Sequence, residues 1–186
     1  YDLKRTLSII VSSRTYQSAT VIASKSGEGF VFEGPSAKRM TAEQFIDAVW
    51  EITETAPGKI DAKVVRGSEK ARVVRASLVK STLLMRALGR PNREQVVTTR
   101  PADLTTLQAL ELNNGREFVN YLNRGATKLV DEKERIETLY LEALSRLPSS
   151  LEKQVAREIL GARVTPESAA DFLWAILMLP EFQFIN

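Results

Sequence analysis

Arg90, Arg93 and Arg100 fall in one short polar stretch that also carries Asn92, Glu94, Gln95, Thr98 and Thr99. Each guanidinium offers a planar fork of donors that matches a carboxylate, phosphate or sulfate. Asn113 and Asn114 add two side-chain amides just beyond the helical run that follows. Together these residues are the candidate ligand-binding set, and an anion or a sulfated glycan is the ligand chemistry they suit. The same groups can instead satisfy loop carbonyls and one another, which is the commoner fate of polar side chains in a compact domain. That architectural reading is the favoured one, since nothing in the stretch requires a ligand.

Glu94 and Glu111 are the acids nearest this polar set. Hydrolysis by paired carboxylates needs the two groups about 5–10 Å apart across a cleft. A carboxylate-dependent hydrolase is therefore a third reading, and the least favoured. Most other chemistries are excluded outright. The chain has no Cys and no His. It therefore cannot supply a thiol nucleophile, a disulfide, a Ser-His-Asp triad or the usual ligands for zinc or covalently attached haem. No catalytic residue and no metal ligand is assigned.

The elements around the stretch follow from local signals. Gly89 is placed to close a helix spanning Leu78 to Leu88 in the left-handed conformation, and Pro91 blocks its continuation. Arg100 precedes Pro101 and should be extended. Asp103 is the expected N-cap of a helix with Leu104, Leu107 and Leu110, which Asn113-Asn114-Gly115 stops.

Elsewhere helical signals dominate. Asp2 can cap a helix carrying Leu3, Leu7, Ile10 and Val11 on one stripe. Thr41 and Gln44 form a capping box ahead of Phe45, Ile46, Val49 and Trp50. Phe118, Tyr121, Leu122 and Leu129 mark another helix, in which Gly125 is a kink or a close-packing point. Asp131 is expected to start the next, with Ile136, Leu139, Tyr140, Ala143 and Leu144. Ser149 with Glu152, and Thr165 with Pro166, open the last two. Phe172 to Leu179 is apolar almost all round and belongs in the bundle interior, with Phe182, Phe184 and Ile185 folding back on it.

The expected fold is mainly α, a bundle of about six to seven helices with a small β-hairpin or irregular insertion near residues 20–33. Residues 1–186 read as a single domain, with residues 57–76 an exposed basic loop. From Lys59 to Arg100 there are eleven Lys and Arg against Asp61, Glu69 and Glu94. That excess makes a candidate anion-facing surface. Nucleic acid is disfavoured as a partner, because the basic run lacks interleaved aromatics. No apolar run is long enough to span a bilayer.

Four segments carry a family resemblance. GRPNREQVVTTRP followed by LTTLQALELNNG resembles the C-terminal signature of the planctomycete "domain of unknown function 1553" family. DLKRTLSIIVSSRTYQ, KRMTAEQFIDAVW and ADFLWAILMLPEFQFIN resemble its opening, its central helix and its terminal motif. The resemblance implies the C-terminal portion of a longer exported protein, periplasmic or extracellular. It also implies an upstream cytochrome-c module, so that any c-type haem lies on a separate domain and this chain holds no cofactor. The implied partners are other domains of the same polypeptide. No established activity comes with the resemblance. Where family members often end in Asn-His, this chain reads Ile185-Asn186. The function expected is a non-catalytic structural or interaction module, with the anion site and the hydrolase as alternatives.

Overall fold

The computed structural model describes residues 2–21, 32, 34–61, 74–91, 105–131 and 135–185. It is mainly helical, as expected, and falls into two compact units: residues 1–39 with 184–186, and residues 40–183.

In the first unit, α1 (Leu3–Val11) begins at Asp2, whose carboxylate accepts the Arg5 N–H at 3.0 Å. None of its residues is buried. The expected helix and its Asp2 cap are present, and the Leu3, Leu7, Ile10 and Val11 stripe is open to solvent, with Leu3 73% and Leu7 60% exposed. Periodicity identifies an apolar face but not what covers it. A parallel bridge joins Val21 to Ser36, and β1 (Lys38–Arg39) pairs antiparallel with β2 (Phe184–Ile185). The hairpin expected near 20–33 falls largely on residues 22–31 and 33, outside the described residues. Phe184 and Ile185 are exposed on β2, whereas Phe182 is buried as expected.

The second unit holds the core. In α2 (Ala42–Thr53) the capping box is complete: Gln44 N–H donates to Thr41 Oγ1, and Thr41 N–H donates to Gln44 Oε1. That fixes the helix phase, so Phe45, Ile46, Val49 and Trp50 all point inward. A short 3-10 helix, Ala76–Leu78, precedes α3 (Leu83–Ala87). The single helix expected over 78–88 is thus interrupted. Thr82 caps α3 by accepting the Met85 N–H.

In α4 (Thr106–Asn114) the N-cap is Thr105, in a reciprocal box with Gln108, not Asp103. Its buried residues are Gln108 and Leu112, while Leu107 and Leu110 face solvent. After Gly115 comes α5 (Arg116–Asp131), which ends at Asp131 where a start was expected. Gly125 is a close-packing point, since a Cβ there would lie 2.8 Å from Thr53 Cγ2 and 3.1 Å from Thr53 Cα.

The remaining helices are α6 (Arg135–Leu144), α7 (Ser150–Leu160), α8 (Pro166–Leu177) and the short α9 (Pro180–Gln183). Ser149–Glu152 and Thr165–Ser168 boxes open α7 and α8. Ala169, Ala170, Phe172, Leu173, Ile176 and Leu177 of α8 are buried, which makes it the central helix its composition implies. Phe45 stacks near Phe118 at 6.1 Å and meets Phe182 edge-on at 5.8 Å, binding α2, α5 and α9 together. Trp174 Nε1 donates to the Leu112 carbonyl at 2.9 Å, tying α8 to α4.

Candidate functional site

Of the sequence-level candidate residues, Arg90, Asn113 and Asn114 are described. Asn92, Arg93, Glu94, Gln95, Thr98, Thr99 and Arg100 lie outside the described residues. So does most of the basic loop expected over 57–76. The end of that loop is buried at Val74 and Ala76.

Arg90 is positioned by the end of α3. Gly89 takes φ +93° and donates to the Arg86 carbonyl, and Arg90 N–H reaches back to the Met85 carbonyl at 2.9 Å. A side chain other than glycine would be strained there. The turn aims the Arg90 guanidinium at the 3-10 helix. Nη1 donates to the Ala76 carbonyl at 2.6 Å and to Met85 Sδ at 3.0 Å. Nη2 donates to the Val79 and Ser77 carbonyls at 3.0 and 3.3 Å. Nε lies 3.7 Å from Glu43 Oε1, and the Arg90 side chain is only 13% exposed.

The opposite end of the 3-10 helix is held with opposite polarity. Asp47 Oδ1 accepts the Ala76 N–H at 2.6 Å, and Arg75 approaches the other oxygen at 3.7 Å. A carboxylate therefore meets the N–H at the start, and a guanidinium meets the Ser77 and Val79 carbonyls and shares the Ala76 carbonyl with the Val79 N–H. Both satisfy backbone groups that a short helix leaves open. Asp61 adds a third tie, accepting the Lys80 N–H at 2.7 Å. Asn113 and Asn114 sit exposed in the last turn of α4.

A second polar cluster was not legible as a candidate. Arg146 reaches Glu152 through Nη1 and Nη2 at 2.9 and 2.7 Å, and Glu181 through Nε and Nη2, both at 2.8 Å. Its guanidinium carbon lies 5.5 Å above the Tyr140 ring. The arginine holds both carboxyl groups below their usual range, and the Ser149 N–H contributes at Glu152, which falls to about 2. Glu137 is likewise lowered by Lys153 at 2.8 Å. Among the described residues, every carboxylate with a displaced ionisation is displaced downward.

The Glu152 shift makes a pH prediction. Its folded value lies below its unfolded one, so its contribution is complete above pH about 4.5 and is lost as pH falls towards about 2. In Arg146→Met the acid-side loss of stability should be shallower across that window. Urea unfolding at several pH values reads the slope, and equal slopes would contradict the assignment.

Two surface depressions are formed by described residues. A cleft of about 540 Å³ is lined by Arg135, Glu137, Arg157 and Gly161 among others. Arg135 is committed there to the Leu129 and Val130 carbonyls at the end of α5. An apolar groove of about 240 Å³ runs between α7 and α8, with Leu151, Val155, Ile159, Phe172 and Leu179 in its walls. Its signal in the sequence is the four-residue spacing of Leu151, Val155 and Ile159 on α7. That stripe is additional to the buried Ala156 and Leu160 of the same helix.

Among the described residues no group of three or more His, Cys, Asp or Glu side chains is placed to hold a metal ion, and no described helix is long and apolar enough to cross a membrane. The family model described as "PSD1: Protein of unknown function (DUF1553)" matches residues 1–160. The ADFLWAILMLPEFQFIN segment lies beyond that match. No curated protein and no solved structure matches the chain.

Proposed function

We propose that this chain, which belongs to the PSD1 family of proteins of unknown function (DUF1553), is a non-catalytic helical structural and interaction module of an exported, multi-domain protein. Its partners in this reading are other domains of the same polypeptide. A c-type haem, where such a protein carries one, sits on another domain, since this chain has neither Cys nor His.

The observation that supports the reading is the fate of Arg90. Its guanidinium is spent on the chain's own carbonyls at Ala76, Ser77 and Val79. Its role there is to hold the 3-10 helix against α3.

A thermal-shift panel of phosphate, sulfate and sulfated oligosaccharides on wild type and Arg93→Ala tests it. The expected result is no shift in either protein. An anion bound at 100 times its dissociation constant would add about 2.7 kcal/mol. That is a rise of several degrees in a chain of this size. A shift seen in wild type and abolished in Arg93→Ala would make the polar stretch a ligand site and overturn the module reading.

A further inference from the structure

The ends of α1 are closed by its own neighbours in sequence. Asp2 accepts the Arg5 N–H, and Gln17 Nε2 donates to the Val11 carbonyl at 3.1 Å. The helix has nine residues and none is buried. So short a helix is marginal in water by itself, and its stability comes from whatever its apolar face packs on. That face is a single stripe of Leu3, Leu7, Ile10 and Val11, all exposed, with only Ile9 off it.

Cations frame the stripe. Lys4 lies seven residues before Val11 and so at the stripe's edge, Arg5 lies on the far face, and Arg14 follows the helix. Asp2, the one acid in residues 1–27, is occupied as the N-cap. The bias extends to the whole unit. Residues 1–39 hold six Lys and Arg against three acids, while residues 40–186 hold twenty of each. The net charge of +3 therefore belongs entirely to the unit that carries the stripe. An anionic bilayer complements both features at once, with negative headgroups above an apolar interior. A basic side chain at the stripe's edge can lay its stem on the apolar layer and keep its charge at the headgroups. We propose that α1 lies in the surface of an anionic membrane, with Leu3, Leu7, Ile10 and Val11 inserted and Lys4, Arg5 and Arg14 at the headgroups. This goes beyond the module reading, whose partners are other domains of the polypeptide.

Co-sedimentation with vesicles tests it, on wild type, Leu7→Gln/Ile10→Gln and Lys4→Gln/Arg5→Gln. Wild type should bind vesicles of phosphatidylglycerol mixed with phosphatidylcholine, bind pure phosphatidylcholine far less, and be released as salt is raised. Leu7→Gln/Ile10→Gln keeps every charge, so binding through charge alone would survive it. The expected result is a loss of about tenfold or more. Lys4→Gln/Arg5→Gln should weaken binding by about fivefold for each cation removed. Both variants should unfold in urea like wild type, since neither touches a buried residue. Failure of wild type to bind would overturn the proposal and leave a protein surface as the occupant. Equal binding to the neutral vesicles, or undiminished binding by Leu7→Gln/Ile10→Gln, would overturn it too. So would a Leu7→Gln/Ile10→Gln protein less stable than wild type, because the stripe would then be covered by the chain itself. Phosphate and sulfate present no apolar layer, so the anion panel is decided separately.

Discussion

Gly125→Leu should cost about 3 kcal/mol or more of stability, the upper end of what overpacking a tight contact produces. Gly125 lies in the middle of α5, where glycine is by itself unfavourable by about 1 kcal/mol relative to alanine. Its presence there is explained by Thr53 of α2. A Cβ at position 125 would come within 2.8 to 3.1 Å of the Thr53 side chain and Cα. Thr53 cannot swing clear cheaply. Its hydroxyl lies 2.7 Å from the Val49 carbonyl and 2.7 Å from Thr55 Oγ1, in a buried position. Any larger residue must therefore push α2 and α5 apart. Gly125→Ala should show the same effect in smaller form, the clash exceeding the gain in helix propensity. Urea unfolding measures both, and a Gly125→Leu protein as stable as wild type would refute the close crossing.

Phe118→Ala should cost about 3–5 kcal/mol, the range for deleting a buried aromatic ring. Phe118 is fully buried on α5 and lies against Phe45, which in turn meets Phe182. Removing the ring takes away its own burial and one of the two aromatic contacts that hold Phe45. Domains of ordinary stability have only about 5–15 kcal/mol in total. The variant should therefore melt many degrees lower, and Phe118→Leu, which keeps most of the volume, should lose much less. A small loss on Phe118→Ala, measured by the same urea titration, would mean that the ring is not a centre of the core.

What the sequence makes legible is mostly local. Asp2, Thr41, Ser149 and Thr165 act as caps because a cap and its N–H partner are three residues apart. The buried stripe of α2 follows from spacing, and the burial of α8 from its nearly all-round apolar composition. Asp103 and Thr105 are both good capping types two residues apart, and only the Gln108 partner of Thr105 separates them. The buried face of α4 was obscured because its leucines are spread around the helix. Non-local contacts leave no periodic trace. Arg146 meets Glu181 across 35 residues, and Arg90 meets carbonyls 11 to 14 residues back. The stripe of α1 is plain in the sequence, yet burial depends on a partner surface that spacing cannot specify.

The measurement that tests the central claim most directly is urea unfolding of Arg90→Met beside wild type and Arg90→Lys. Methionine keeps much of the apolar stem and removes the donors that hold Ala76, Ser77 and Val79. With hydrogen bonds to a charged group worth about 1.5–3 kcal/mol each, and the freed carbonyls partly recovered by water, the expected loss is about 2–4 kcal/mol. Lysine, with no planar fork, should recover only part of it. Such a loss means that the guanidinium holds the fold together. An Arg90→Met protein within about 0.5 kcal/mol of wild type, the range of a neutral surface change, would contradict the architectural assignment of Arg90.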